Sequence, residues 1–358
     1  MLLKSISAKN FRCFTSLETE FDSSSVTVIS GPNGSGKTSF LEAIYFLSRA
    51  RSFRTNHRES LQQQGKGETW VYGEVLNDRQ LHRMGIGYDQ KKLTARLDGE
   101  SVTSVANMAA TLAVQVIDPQ IHLLTSGGPN YRRRYLDWGV FHVEHTFISN
   151  WRRFERALRQ RNTALRANAA EKEIRAWDGE LSSAAENITL ARAQHTEEIQ
   201  SQLKALSSRL LGDMEITLSY SRGWSKGISF EESLEQNIDG DRLTRQTRYG
   251  PQRADLVIGI AGQPANEYLS RGQAKLLGIC LVLTQLKCVE TFIGKSILLL
   301  DDLASELDDE YLGRIMAILE ETPSQRFMTV LDPKAFDNKL TADCQRFHVE
   351  QGKIRLVV

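Results

Sequence analysis

Apolar and polar positions divide the chain into stretches of different period. Before residue 120, short β-rich runs such as Ser25-Val-Thr-Val-Ile-Ser30 lead into a glycine-rich loop, after which Ser39-Phe-Leu-Glu-Ala-Ile-Tyr45 takes up helical spacing. In the middle, Ile174, Trp177, Leu181, Ile188, Ile199, Leu203, Leu206 and Leu210 fall mostly three or four apart, and Gly212 stands where a C-terminal cap belongs. Residues 130 to 250 contain no proline, so helices can run there without interruption. Late in the chain Ile297-Leu-Leu-Leu300 is apolar throughout, the pattern of a strand buried on both faces, and it ends on Asp301-Asp302. The pattern predicts an α/β protein of mixed sheets with flanking helices at 1–120 and 245–358. A mostly helical insertion, a lever of a few short helices, is expected at 121–244.

Composition narrows the class. The 358 residues carry 45 Lys and Arg against 44 Asp and Glu, with 41% hydrophobic, which excludes a disordered chain or a polybasic tail. Four cysteines without a C-x-x-C pair give no support to a zinc cage or a disulfide framework, and point to a reducing, cytoplasmic setting. The first residues lack a long apolar core with a cleavage site, and no run of about 18 apolar residues follows, so no membrane segment is expected. Charge is uneven along the chain. Between Arg132 and Arg166 stand nine Arg and no Lys against three acids, whereas Asp301 to Glu321 holds eight acids and one Arg. The first segment, with Tyr131, Tyr135, Trp138, Trp151 and Phe154 interleaved, suits contacts to nucleic-acid phosphates through Arg132, Arg133, Arg134, Arg152 and Arg153. Salt-bridged arginines covering a core would have the same composition. His142 and His145 lack a third ligand at matching spacing, so a metal site is not expected there.

The chemistry is carried by three motifs. Gly31-Pro-Asn33-Gly34-Ser-Gly36-Lys37-Thr38 fits G-x-x-x-x-G-K-[ST], between an expected strand and an expected helix beginning at Ser39. Glycines let backbone N–H groups close on phosphates, Lys37 brings a positive charge to the β/γ-phosphates, and the Thr38 hydroxyl can ligate Mg²⁺. Asp301, at the end of a buried strand, is the expected second holder of that Mg²⁺, and Asp302 the general base for the attacking water. Ser270-Arg-Gly272-Gln273 lies 31 residues before Asp301 and opens a helical pattern. It resembles the ABC ATPase signature, in which serine and glycine at a helix N-terminus bind the γ-phosphate held by another protomer. Ser270 alone would also be explained as an N-cap.

Ala304-Ser-Glu-Leu-Asp308 is similar to the D-loop of that superfamily. Gln115 resembles its Q-loop glutamine, which touches Mg²⁺ and water, although an exposed glutamine is an equally simple account. The strand Arg326–Asp332 lacks the switch histidine of transporters, and Thr329 is the substitute it offers. With Asp302 in place of a glutamate, one methylene longer, this suggests slow, timer-like hydrolysis.

Together with Asn10-Phe-Arg12, Arg51-Ser-Phe-Arg54, Gly127 to Gly139 and Arg248 to Leu256, these motifs resemble the RecF family across essentially the whole chain. The resemblance implies an ABC-type ATPase head like those of SMC proteins, with a short lever in place of their coiled coil. It implies weak, DNA-stimulated ATP hydrolysis and an ATP-dependent homodimer on gapped or junction-containing DNA. Cooperation with RecR and RecO in loading RecA during recombinational repair is implied as well, with Arg12 on the adenosine or phosphate side of ATP. Two other classes share parts of the pattern. One is an SMC-like structural head, disfavoured by the missing coiled coil, and the other an ABC transporter subunit, disfavoured by the long middle and the absent histidine.

Overall fold

The computed structural model describes residues 1–22, 25–77, 79–89, 92–332 and 344–357. It forms two compact units, Met1–Ile121 with Glu290–Val358, and His122–Val289.

The first unit contains two six-stranded sheets. One is antiparallel, in the order Phe14–Glu20, Leu2–Phe11, Glu68–Asn77, Gln80–Asp89, Lys92–Leu97, Glu100–Ser101. The other runs Lys353–Val357, Cys344–Glu350, Val26–Ser30, Gln325–Val330, Ile297–Leu300, Val114–Ile117, and is parallel except at the Lys353–Val357 edge. Of its inner strands, Val26–Ser30, Gln325–Val330 and Ile297–Leu300 are buried at every position, and Ile297–Leu300 accordingly reads as an unbroken apolar run. Helix Lys37–Arg49 buries ten of its thirteen residues. Its Phe40, Leu41, Ile44 and Phe46 join Phe11, Phe14 and Val71 of one sheet and Ile29, Leu299, Phe327 and Phe347 of the other in a single core. Burial of that many aromatic and aliphatic side chains, at about 1.5–3 kcal/mol each, fixes the helix and the loop before it.

The second unit is helical around a small sheet. Helix Phe147–Arg166 packs on helix Asp178–Leu211 through Phe154, Ala157, Leu181, Ala184, Ala185 and Ile188. Of the expected apolar stripe, positions 181 to 210 lie on this single 34-residue helix, longer than the short segments expected, and Gly212 closes it with φ 66°. Ile174 belongs to the separate short helix Glu171–Arg175, and Trp177 is the N-cap of the long one. Strand Ile216–Ser221, inside the region expected to be helical, pairs antiparallel with Asp255–Ile260. This pairing is one reason that residues 245–289 group by contact with the second unit, where the sequence pattern had joined them to the first. Another is the hydrogen bond from Tyr135 Oη to the Leu281 carbonyl (2.8 Å). Among the described residues one helix, Arg271–Ile293, is long and apolar enough to cross a membrane, and 78% of its apolar window is buried inside the protein.

Candidate nucleotide site

The loop after Val26–Ser30 follows the sequence reading. Gly34 and Gly36 have φ of 76° and 118°, the left-handed region that side chains rarely adopt, so the turn into the helix at Lys37 requires glycine. A side chain at Gly36 would also meet Cys13 Sγ and the Phe14 ring. Lys37 is buried and curls back on the loop, donating to the carbonyls of Gly31 (2.7 Å) and Pro32 (3.1 Å). Its pKa is lowered by burial and raised again by Asp302 and Asp301.

Thr38 Oγ1 donates to Asp301 Oδ1 at 2.9 Å, joining residues 263 positions apart. Asp301 is set at that level by parallel pairing, since Leu300 is in register with Ile117 and with Met328. Thr329, buried on the central strand, donates to Asp301 Oδ1 (2.8 Å) and accepts the Asp302 backbone N–H (2.8 Å). Thr329 thus holds the Asp301 carboxylate and the Asp302 backbone. Asp302 has left-handed backbone, φ 54° and ψ 33°, and accepts from Ser305 Oγ at 2.6 Å. Conformations of this kind are unfavourable for non-glycine residues and recur at functional sites.

A cavity of about 300 Å³ is lined by Cys13, Asn33, Gly34, Gly36, Lys37, Thr38, Ser39, Arg54, Asp301, Asp302 and Thr329. An adjoining cavity of about 540 Å³ shares Thr38, Arg54, Asp301 and Asp302 with it and adds Arg12, Phe53, Asp118 and Gln120. Arg12 is held there by Glu42, a fully buried carboxylate on the P-loop helix (2.7 Å), and by the Ser60 carbonyl (2.8 Å). Burial pushes Asp301 up from the usual carboxylate range, and pushes Asp118 up to about 6. A hydroxyl and carboxylates form the hard-oxygen donor set that Mg²⁺ takes, and a cation there would offset their desolvation.

Gln115 is not among the residues lining either cavity. It pairs in register with Leu298, two positions before the strand end, so its level is inside the sheet. Gln120, beyond the end of that strand, reaches the cavity. The signal was present in the sequence, because Val-Gln-Val-Ile followed by Asp118 repeats the grammar of Leu-Leu-Leu followed by Asp301. Arg54, whose charge favours ionisation of Asp118 and Asp301, stood in a quoted stretch without a role.

Ser270, Gly272 and Gln273 are exposed in the second unit at the start of helix Arg271–Ile293. Ser270 N donates to Gln273 Oε1 (3.0 Å) and Gln273 N to Ser270 Oγ (3.2 Å), a reciprocal capping box. An added Cβ at Gly272 meets nothing within 4 Å, so close packing in its own chain does not require this glycine.

The arginine-rich segment separates into two sets. Arg132 makes a bidentate pair with Asp255 (2.7 and 2.9 Å) and Arg133 donates to the Ala254 carbonyl (2.6 Å) and Asn130. Arg153 pairs with Glu180 (2.7 Å), and Arg161, fully buried, with Asp178 and Asp241 (2.7 Å each). Much of the local positive excess is therefore neutralised by acids distant in sequence. Arg134 and Arg152 are exposed.

A P-loop, a strand-borne carboxylate and a capped signature helix define an ABC-type ATPase head. Residues 2–355 match the RecF/RecN/SMC N-terminal domain family. The chain is 39% identical over 334 residues to the DNA replication and repair protein RecF of Azotobacter vinelandii, covering 92% of each. With the protein of that name from Xanthomonas axonopodis pv. citri it shares 36% over 357 residues, 98% of this chain and 97% of the relative. Its fold is similar to that of the recombination mediator protein RecF–ATP of the RecFOR pathway (TM-score 0.90, 24% identity, 99% and 97% covered). An SMC head bound to the C-terminal winged-helix domain of ScpA is more distant (TM-score 0.59, 14% identity, 100% and 98% covered). The chain belongs to the RecF family.

Proposed function

We propose that this chain is an ATP-dependent DNA-binding protein of recombinational repair and replication-gap maintenance, in which two copies close on DNA when ATP is held between them. The observation that carries the reading is the Thr38–Asp301 hydrogen bond, which joins the loop and the carboxylate strand at one cavity. Family membership supports the repair role, with DNA, RecR, RecO and RecA as partners.

ATP would be held by the Gly31–Ser39 loop and Lys37, and Mg²⁺ by Thr38 and Asp301, supplying a hydrolysable phosphoanhydride and a counter-charge to its phosphates. Lys37 exchanges the Gly31 and Pro32 carbonyls for phosphate oxygens. Asp302 acts as general base, with Ser305 and Thr329 fixing its side chain and backbone. Gln120 takes the role expected of Gln115. Arg12, positioned by Glu42, and Arg54 add positive charge from the cavity wall. The free N–H groups of the signature helix, with Ser270, receive the phosphate presented by the second copy, so ATP stabilises the dimer by mass action. Hydrolysis, slow for want of a switch histidine, releases it.

Fluorescence anisotropy of a labelled gapped duplex, with and without ATP and Mg²⁺, tests the coupling. Tight binding only with ATP is expected, and indifference to ATP would sink the clamp. Ser270→Arg should abolish ATP-dependent dimers in sedimentation while keeping nucleotide binding by the monomer. Loss of both would remove the assigned roles.

A further inference from the structure

We infer that the outward face of helix Phe147–Arg166 is a binding surface for the phosphate backbone of duplex DNA. The inference rests on the DNA-binding reading above and specifies where this chain makes the contact.

The buried side of the helix is Phe147, Asn150, Phe154, Ala157, Arg161 and Leu165. On the opposite side Arg152, Arg156, Arg159 and Arg166 are all exposed, at intervals of four, three and seven residues. Those intervals keep them in one row of about 21 Å at about 1.5 Å per residue. The other arginines of this helix are matched, Arg153 by Glu180 and Arg161 by two aspartates. No ion pair among the described residues includes Arg156, Arg159 or Arg166; of the acids near the row, Glu155 is exposed on the same helix, and Glu180, which also feels the charge of Arg156, is paired with Arg153. A solvated helix face ordinarily mixes signs, because like charges at i,i+4 destabilise it. Here the like charges stand together on a helix whose other face packs on Asp178–Leu211.

A turn fastened to the same helix carries a further exposed arginine. Thr247 donates from both its backbone N (2.7 Å) and Oγ1 (2.9 Å) to Asn162 Oδ1, which fastens the turn after residue 244 beside the helix. Arg245 is exposed in that turn.

The occupant is a polyphosphate rather than a folded protein. A protein interface needs an apolar centre, and the positions between these arginines are polar, including Gln160 and Thr163. Arginine without lysine fits phosphate oxygens, which its planar fork can hold in pairs. A straight row of cations fits a duplex, which carries a negative charge about every 1.7 Å of its axis.

The test is binding of the full-length protein to a blunt duplex with ATP and Mg²⁺, across about 50–200 mM salt. The triple variant Arg156→Gln, Arg159→Gln, Arg166→Gln should bind at least about tenfold more weakly near 100 mM salt and lose about 2.7 from its log–log salt slope. An unchanged melting temperature would show that it is folded, and Arg153→Gln, whose partner is Glu180, should keep the wild-type slope. A triple variant with wild-type affinity and slope overturns the inference while leaving the DNA-binding reading in place. Wild-type protein that binds no DNA overturns both. Tighter binding of poly-L-glutamate than of a duplex with equal charge would reassign the row to an acidic protein.

Discussion

His195, buried in the second unit, shows what one hydrogen-bond partner does to protonation. It is 4% exposed, with Nε2 facing the Gln285 side-chain nitrogen at 3.3 Å, while the same amide donates to the Tyr135 carbonyl at 2.8 Å. An amide that donates needs an acceptor, so His195 is neutral with its proton on Nδ1. Burial lowers its pKa from 6.5 to about 4. The unfolded chain therefore takes up a proton before the folded one. The associated stability is present above about pH 6.5 and is lost as pH falls through about 4, amounting to about 3 kcal/mol. Urea unfolding at pH 7 and pH 4 checks this, with the difference between the two shrinking by about that amount in His195→Gln. An unchanged difference would mean that the imidazole is protonated in the fold.

At the scale of elements, Arg161 joins three helices. It pairs with Asp178 at the start of the long helix and with Asp241 of helix Ile238–Thr244, and donates to Thr247 Oγ1 at 2.8 Å. Removing one partner from a buried ionic network leaves uncompensated charge, which costs about 3–5 kcal/mol. Arg161→Ala should lower the denaturant midpoint correspondingly, and a loss below about 1 kcal/mol would show that Asp178 and Asp241 regain solvent. Arg161 also illustrates the limit of reading charge from sequence. It stands among nine arginines as an equal, but its partners lie 17 and 80 residues away, and only the packing of the helices brings them together. The P-loop and Asp301 were legible because strand, loop and helix are local patterns, and the strand Ile297–Leu300 before Asp301 has no polar position. Gln115 was misplaced against the cavity by strand register, which no local pattern records. The pairing of Ile216–Ser221 with Asp255–Ile260 was likewise hidden, because the intervening residues read as helix and turn.

For the molecule as a whole, the start of helix Arg271–Ile293 allows folding to be tested apart from the proposed assembly. Gly272 has open space around its Cα, so Gly272→Ala adds a methyl that its own chain accommodates. Its melting temperature should equal that of the wild type. If the glycine instead admits the phosphate end of a nucleotide on a second copy, the same methyl should weaken ATP-dependent dimerisation at least about tenfold, about 1.4 kcal/mol. Sedimentation velocity with ATP and Mg²⁺ reads this directly, and an undiminished dimer would place the contact elsewhere.

The order of strands in the parallel sheet has a consequence for synthesis. Val26–Ser30 hydrogen-bonds to Gln325–Val330 on one side and to Cys344–Glu350 on the other, both near the end of the chain. The ribosome makes roughly 295 residues between the first of these strands and its earliest partner, about 15–60 s at about 5–20 residues per second. Throughout that interval the strand has two open edges, and every residue of the second unit is made before either partner strand. The nucleotide-binding loop is thus encoded early and completed last, and the nascent chain is most prone to aggregation while that strand is waiting.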